Sequence, residues 1–214
     1  MKAYVITIKG NKKSEEAAAR CIASGKKYGV KVDTFYAITP EDNRQDMAKK
    51  AGIESLARFN EVYSRSDRCL AAFLSHFTLW MLSVSTKEEL VILEHDAVFV
   101  DYLTRFEYTA CVNLGRPSYG KWNVPKLLGI NPLTSKRYFP GAHAYMVKPV
   151  GAAALLERSK LFAGPTDVFL NMENFDWLQE YYPWPIECKD SFTTIQSERG
   201  CLAKHNYSEG YEIV

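Results

Sequence analysis

Residues 3–38 read AYVITIKGNKKSEEAAARCIASGKKYGVKVDTFYAI, and their pattern decides the fold class. Ala3 to Ile8 is a short apolar run of strand type. The stretch SEEAAARCIASGKKYG opens on Ser14 as a candidate N-cap, carries Glu15 and Glu16 in its first turn and stops at Gly29, which predicts a helix with both ends marked. Val30 to Ile38 then returns to a strand pattern. Strand, crossover helix and strand predict a parallel pair, and sheets built this way bind ligands beyond the carboxyl ends of their strands. Polar residues just past those ends are therefore the first candidates for a site.

Further along, Leu90 to Val98 reads LVILEHDAV, a buried strand pattern interrupted by Glu94, His95 and Asp96. On extended backbone Glu94 and Asp96 share one face and His95 takes the other. Two converging carboxylates suit a hard cation such as Mg²⁺ or Mn²⁺; a strand end that simply reaches water explains the same triplet. Lys9, Lys12 and Lys13 follow the first strand ahead of a helix N-terminus, where a diphosphate finds both charge and amides, although lysines there also serve as solvated surface. No GxGxxG and no Walker loop is present, so dinucleotide and phosphate-loop readings lack support.

The stretch CLAAFLSHFTLWMLSV, Cys69 to Val84, is apolar nearly all round and predicts a buried helix. Ser75 and His76 are its polar exceptions, with Trp80 one turn beyond His76. Buried polar groups need partners, either in the core or on a bound nucleotide. Adjacent helical residues diverge, which argues against a Ser-His hydrolase. Next come a short helix-like stretch and Leu114 to Gly141, rich in Gly, Pro, aromatic and basic residues, read as a lid or a long loop. AHAYMVKP follows as a strand on which His143 and Tyr145 share a face, then VGAAALLERSKLF as a helix. In GPTDVF, Asp167 is either a loop carboxylate facing the site or the N-cap of a helix beginning near Val168.

Composition excludes several classes. The chain has 27 Lys and Arg against 25 Asp and Glu, a formal charge of +2 that gives no global argument for nucleic-acid or membrane partners. No apolar run was read as approaching the ~20 residues of a membrane span, and the N-terminus lacks a signal-peptide core, so a cytoplasmic protein is expected. Five widely spaced cysteines without a CxxC pair indicate neither a disulfide framework nor a zinc knuckle. One domain spanning 1–214 is expected.

Taken in order, CLAAFLSHFTLW, VILEHDAVF, PGAHAYMVKPVGAAALL, PTDVFL and DSFTTI resemble the motif set of glycosyltransferase family 25, the lipopolysaccharide and procollagen galactosyltransferase-like family. The opening strand, helix and strand are similar to that family as well, so the resemblance runs from Tyr4 to Ile195. It implies an α/β, GT-A-like single domain with a mostly parallel central sheet flanked by helices, and a flexible acceptor or lid segment at 114–141. It also implies a nucleotide-sugar donor, usually a UDP sugar, and transfer with inversion; a carbohydrate, a glycolipid or, from the basic and aromatic stretch described below, modified DNA is the expected acceptor. A divalent metal, Mn²⁺ or Mg²⁺, would be held by Glu94 and Asp96.

By the same resemblance the donor site comprises Thr7, Lys12, Lys13, Ser75, His76, Glu94, His95 and Asp96. Asp167 is the expected general base beside Glu94 in the catalytic set, with His143 or His205 as substitutes, and Trp122, His143 and Tyr145 are expected on the acceptor side. The sequence departs from the family at His95, where the family has an acid, and at Thr7, where it tends to have Asn. His95 keeps open a non-catalytic relative that binds a partner through the same cleft. Arg116, Lys121, Lys126, Lys136 and Arg137, interleaved with Tyr119, Trp122, Tyr138 and Phe139, keep open a sugar transferase acting on hydroxymethylated bases of viral DNA.

Overall fold

The computed structural model describes residues 2–60, 64–190, 192–197 and 212–214. The predicted opening unit is present as β1 (Lys2–Thr7), α1 (Lys12–Lys27) and β2 (Val32–Tyr36), with β1 and β2 parallel. Helix α1 starts three residues earlier than expected. Its cap is Asn11, whose side chain accepts from the Ser14 amide at 3.1 Å, so Ser14 lies inside the first turn. Gly29 ends the unit at φ 76°, where a side chain would be strained.

The chain continues through α2 (Arg44–Lys50), α3 (Ser66–Thr86), β3 (Leu90–Glu94), β4 (Ala97–Phe99), β5 (Cys111–Asn113), β6 (Gly129–Pro132) and β7 (Ala144–Val147). It closes with α4 (Pro149–Phe162), α5 (Thr166–Phe169), β8 (Gln179–Tyr182), β9 (Ile186–Cys188), β10 (Phe192–Thr193) and β11 (Glu212–Ile213). Seven strands form the central sheet in the order β2-β1-β3-β7-β5-β8-β6. The junctions β2-β1, β1-β3 and β5-β8 are parallel, whereas β7 runs against both β3 and β5, and β6 against β8. Five of the seven strands therefore share one direction, as a mostly parallel sheet flanked by helices requires.

Alternation along β3 builds the core on both faces. Leu90 and Ile92 join Phe73, Leu74 and Trp80 of α3 and Leu155 of α4, while Val91 and Leu93 pack with Ala18 and Cys21 of α1. Each large side chain buried in this way contributes roughly 1.5–3 kcal/mol relative to exposure. Helix α3 is 21 residues long and apolar enough by composition to cross a membrane, contrary to the sequence expectation, but most of it is buried between the sheet and α4. A β-carbon on Gly151 would lie 2.4 Å from the Ala110 carbonyl oxygen, so only glycine lets α4 approach the start of β5 this closely.

One expectation fails here: residues 102–109 carry no helix. Segment 114–141, expected as a lid or long loop, supplies β6 at the sheet edge, and its Thr134 and Ser135 amides both donate to buried Glu180 Oε1 at 2.7 Å. Cys21, Cys69, Cys111 and Cys188 are buried; Cys201 lies outside the described residues.

Candidate functional site

A cavity of about 530 Å³ opens beyond the carboxyl ends of β1, β2 and β3. Lys9, Gly10 and Asn11 line it from the β1-α1 connection, Ala37 to Glu41 from beyond β2, and Arg68, Ala71, Ser75 and His76 from α3. Glu94 and His95 come from the end of β3, and Thr194 and Ile195 from the chain after β10. Strand alternation explains how the two β3 residues divide. Glu94 continues the face of Leu90 and Ile92 and meets α3; His95 continues the opposite face and meets α1. Because the strand ends there, both still reach the cleft.

On the α3 side a chain of buried hydrogen bonds ends at Glu94. The Trp80 indole N–H donates to the Tyr145 hydroxyl at 2.8 Å. An indole can only donate, so the phenol oxygen accepts there, and it lies within hydrogen-bond distance of His76 Nδ1, 2.9 Å away. His76 Nε2, on the far side of the ring, lies 3.2 Å from Glu94 Oε1, and the direction of both bonds follows the ring's tautomer. Burial lowers the His76 pKa to about 3, with the Asp167 charge opposing weakly, so the ring is neutral. Burial also raises Glu94 to about 8, reinforced by Asp96 and opposed by His95, although 26% of its side chain opens to the cleft. With Oε1 committed to His76, a ligand or proton in the cleft meets Oε2.

On the α1 side, Ser14 Oγ accepts from the Ile8 amide at 2.9 Å and lies 3.2 Å from His95 Nδ1. The other face of His95 stacks on Phe192 at 5.4 Å between ring centres. The amides of Ile8, Gly10, Asn11 and Ser14 already have acceptors in Ser14, Glu15, Ile8 and Asn11. Lys9 and Arg68 are the lysine and arginine that line the cleft.

Several expected residues lie elsewhere. A turn at His95 and Asp96 breaks the strand, so Asp96 does not share a continuous face with Glu94; its Oδ2 accepts from the Cys188 thiol at 2.8 Å on β9. Asp96 still acts on Glu94 through charge. Thr7 is buried and bonds the Val5 carbonyl oxygen at 3.3 Å. Lys12 is largely exposed beside Glu16, and Lys13 pairs with Glu212, so neither lines the cleft. Ser75 does line it, holding the Ile38 amide at 2.9 Å and donating to the Ala71 carbonyl oxygen. Tyr145 is fully buried behind His76 and cannot touch an acceptor directly.

His143 is buried too, cradled where a β-carbon on Gly115 would fall 2.4 Å from its Nε2, and its carbonyl oxygen accepts from the Glu94 amide at 2.9 Å. Trp122 lies outside the cleft lining, near the Arg116 guanidinium at 6.0 Å. Asp167 occupies the first turn of α5, whose N-cap is Pro165, so it is not the cap. Its Oδ2 accepts from the Tyr119 hydroxyl at 2.8 Å and its Oδ1 from the Val168 amide at 2.8 Å. It lies outside the cleft lining, but near enough that its charge bears on Glu94 and His76. His205 and Ser191 of the late motif lie outside the described residues.

Sequence reasoning missed Arg68, Ser14, Thr39, Glu41 and Phe192. Arg68 sits one position before the quoted start of α3, and its polarity beside an apolar run was the available signal. Its guanidinium also donates to the Thr194 carbonyl oxygen at 3.2 Å, tying the late motif to the cleft.

Among curated proteins, none matches this sequence. Solved structures with a similar chain path include a Drosophila β-1,4-galactosyltransferase 7 variant in complex with manganese, UDP-galactose and xylobiose. That match has 10% identity and a TM-score of 0.36, and covers 72% of this chain and 52% of the other. The chain thus spans about half the length of that protein. The CTP:phosphocholine cytidylyltransferase LicC of Streptococcus pneumoniae also matches, with 10% identity, a TM-score of 0.42 and coverage of 86% and 91%. The sequence profile of glycosyltransferase family 25, described as an LPS biosynthesis protein family, matches residues 1–114, a stretch that holds β1, β2, α3, β3 and every cleft residue except Thr194 and Ile195. The chain belongs to glycosyltransferase family 25.

Proposed function

We propose that the chain transfers a sugar from a nucleoside diphosphate donor, UDP in the first instance, to an acceptor hydroxyl with inversion. The observation that carries this reading is the cleft beyond β1, β2 and β3, with Lys9 and Arg68 on its walls and the Glu94 carboxylate at the end of β3. Cations on the wall suit a diphosphate, and apolar Ile6, Ile8, Ala37 and Ile38 suit the flat faces of a nucleoside.

The residues present fit a hard divalent cation. Glu94 brings an oxygen ligand to the cleft, and its repulsion with the nearby Asp96 charge is one that a cation relieves. Among the described residues no group of three His, Cys, Asp or Glu side chains is arranged to hold a metal alone, so diphosphate oxygens and water would complete the shell. When bound, the cation would offset charge developing on the leaving diphosphate. His76 holds Glu94 in place, and Lys9 and Arg68 bind and orient the donor.

In this reading Asp167 takes the proton of the acceptor hydroxyl as its oxygen attacks the anomeric carbon and the bond to the diphosphate breaks. Tyr119 orients that carboxylate by donating to Oδ2. A thermal-shift and turnover screen of nucleotide sugars, with and without Mn²⁺, tests the proposal. Stabilisation and slow hydrolysis of one donor are expected, and indifference to every nucleotide sugar would refute it.

The non-catalytic reading keeps one supporting observation, since His95, where the family has an acid, lines the cleft. Donor binding without turnover in the same screen would favour it. The DNA reading loses part of its basis: Arg116 pairs with Glu187 at 3.0 Å, Arg137 with Glu173 at 3.5 Å, and Lys136 lies over the Tyr119 ring at 4.6 Å.

A further inference from the structure

Within five residues, Val124, Leu127 and Leu128 are 58%, 70% and 78% exposed. Scattered apolar side chains on a surface are ordinary, but three grouped at one loop tip are not. The loop cannot fold them away, because it is fastened on both sides. Asn123 donates its amide to the Ser135 carbonyl oxygen at 3.0 Å, and the nearly buried Asn131 holds the Leu127 and Gly129 carbonyl oxygens at 2.9 and 3.0 Å. Buried Pro125 anchors the middle, and the Glu180 carboxylate fixes Thr134 and Ser135 beneath. The apolar tip is thus presented to solvent by a rigid base.

Lys121 and Lys126 flank the tip, both exposed and, among the described residues, in no ion pair. We propose that the loop 121–128 docks the protein on an anionic lipid bilayer, with Val124, Leu127 and Leu128 entering the boundary between headgroups and acyl chains and Lys121 and Lys126 resting on acidic headgroups. Aliphatic side chains on a protruding tip match a deformable apolar medium, and lysine stems lie along such a boundary with their charge outward. A second copy of the chain is a poorer occupant, because a symmetric contact through this tip would bring the lysines of both copies together. Two residues before Lys121, Tyr119 contacts Asp167, so a docked loop would bring that carboxylate towards the lipid surface. Docking needs neither donor nor acceptor, so its failure would leave the transferase reading standing.

The test is flotation of the full chain with vesicles of phosphatidylcholine alone or with about a third phosphatidylglycerol. The wild type is expected to bind the anionic vesicles about tenfold more tightly than the neutral ones. Leu127→Ser with Leu128→Ser should lower anionic-vesicle binding about tenfold without changing Tm, since both side chains are exposed. Lys121→Gln with Lys126→Gln should remove the preference for anionic vesicles. In a Leu128→Trp variant, extra indole fluorescence should shift to the blue when vesicles are added. Failure of the wild type to float, equal binding to both vesicles, or leucine variants that bind as the wild type does would each overturn the proposal. A dimer that forms through the loop while vesicles are ignored would overturn it in favour of self-association.

Discussion

His76 Nε2 lies 3.2 Å from Glu94 Oε1, joining the middle of the longest helix to the end of β3 at the cleft. Behind it, His76 Nδ1 meets the Tyr145 phenol, which itself accepts from Trp80. Glu94 is therefore oriented by a core network rather than by solvent, and changes in the core should register at the site.

Tyr145→Phe keeps the ring but removes both hydrogen bonds. Leaving the Trp80 N–H unsatisfied should cost about 1–3 kcal/mol. With the His76 tautomer released, the pH profile of turnover should also shift, which a purely structural defect would not produce. A lowered Tm with an unchanged profile would show that the network supports the fold alone.

Stability should pass through a broad maximum with pH. His76 is held down at about 3 from an ordinary 6.5, so between those values the unfolded chain binds a proton that the native chain refuses, and stability falls as pH drops. Glu94 is pushed up to about 8 from 4.5, so between those values the native chain keeps a proton the unfolded one releases, and stability falls as pH rises. The two slopes oppose each other between 4.5 and 6.5 and act alone on either side. Tm measured against pH checks this, and Glu94→Gln should remove the decline on the alkaline side.

Asp167→Asn should leave donor affinity nearly unchanged and slow transfer by ~10² to 10⁴. Tyr119→Phe removes a donor that stabilises the charged carboxylate, so the acid limb of the rate profile should move to higher pH. A fully active Asp167→Asn protein would end the assignment of the base.

His95→Asp should tighten Mn²⁺ binding, measured by calorimetry with UDP present, by about tenfold, because the position lines the cleft beside Glu94. Asp96→Asn should weaken it while the fold persists. If both variants bind Mn²⁺ as the wild type does, the cation does not use this turn.

Arg68→Gln should raise the Kd for UDP by about tenfold, the scale of one charge-assisted hydrogen bond. Lys12→Gln should leave it unchanged, since Lys12 is exposed away from the cleft. Equal effects would place the diphosphate outside on the surface of α1.

The sequence made the long elements visible because they carry enough residues to declare a period. Helix α1 has sixteen residues and α3 twenty-one, and Leu90 to Leu93 form an unbroken apolar run. Strands β4, β5 and β9 have three residues each, too few to show alternation, and β6 falls inside the segment whose composition suggests a lid or long loop. The site was legible in proportion to how local it was. Glu94, His95, Ser75 and His76 stand out as polar residues in apolar runs. The partnerships of Asp96 with Cys188 and of Lys13 with Glu212 join residues far apart in sequence, and a single chain of letters carries no sign of them.

The division of Glu94 and His95 between the two helical layers makes the site an indicator of pairing register. A slip of one residue in β3 against β1 and β7 would exchange every side chain between faces. The imidazole would then arrive at His76 and the carboxylate at Ser14, while Leu90 to Leu93, apolar on both sides, would tolerate the exchange with little loss of packing. Burial alone thus sets this register weakly. The polar pairs at the strand end distinguish the correct register from its neighbour, so the residues of the candidate site also proofread the assembly of the sheet.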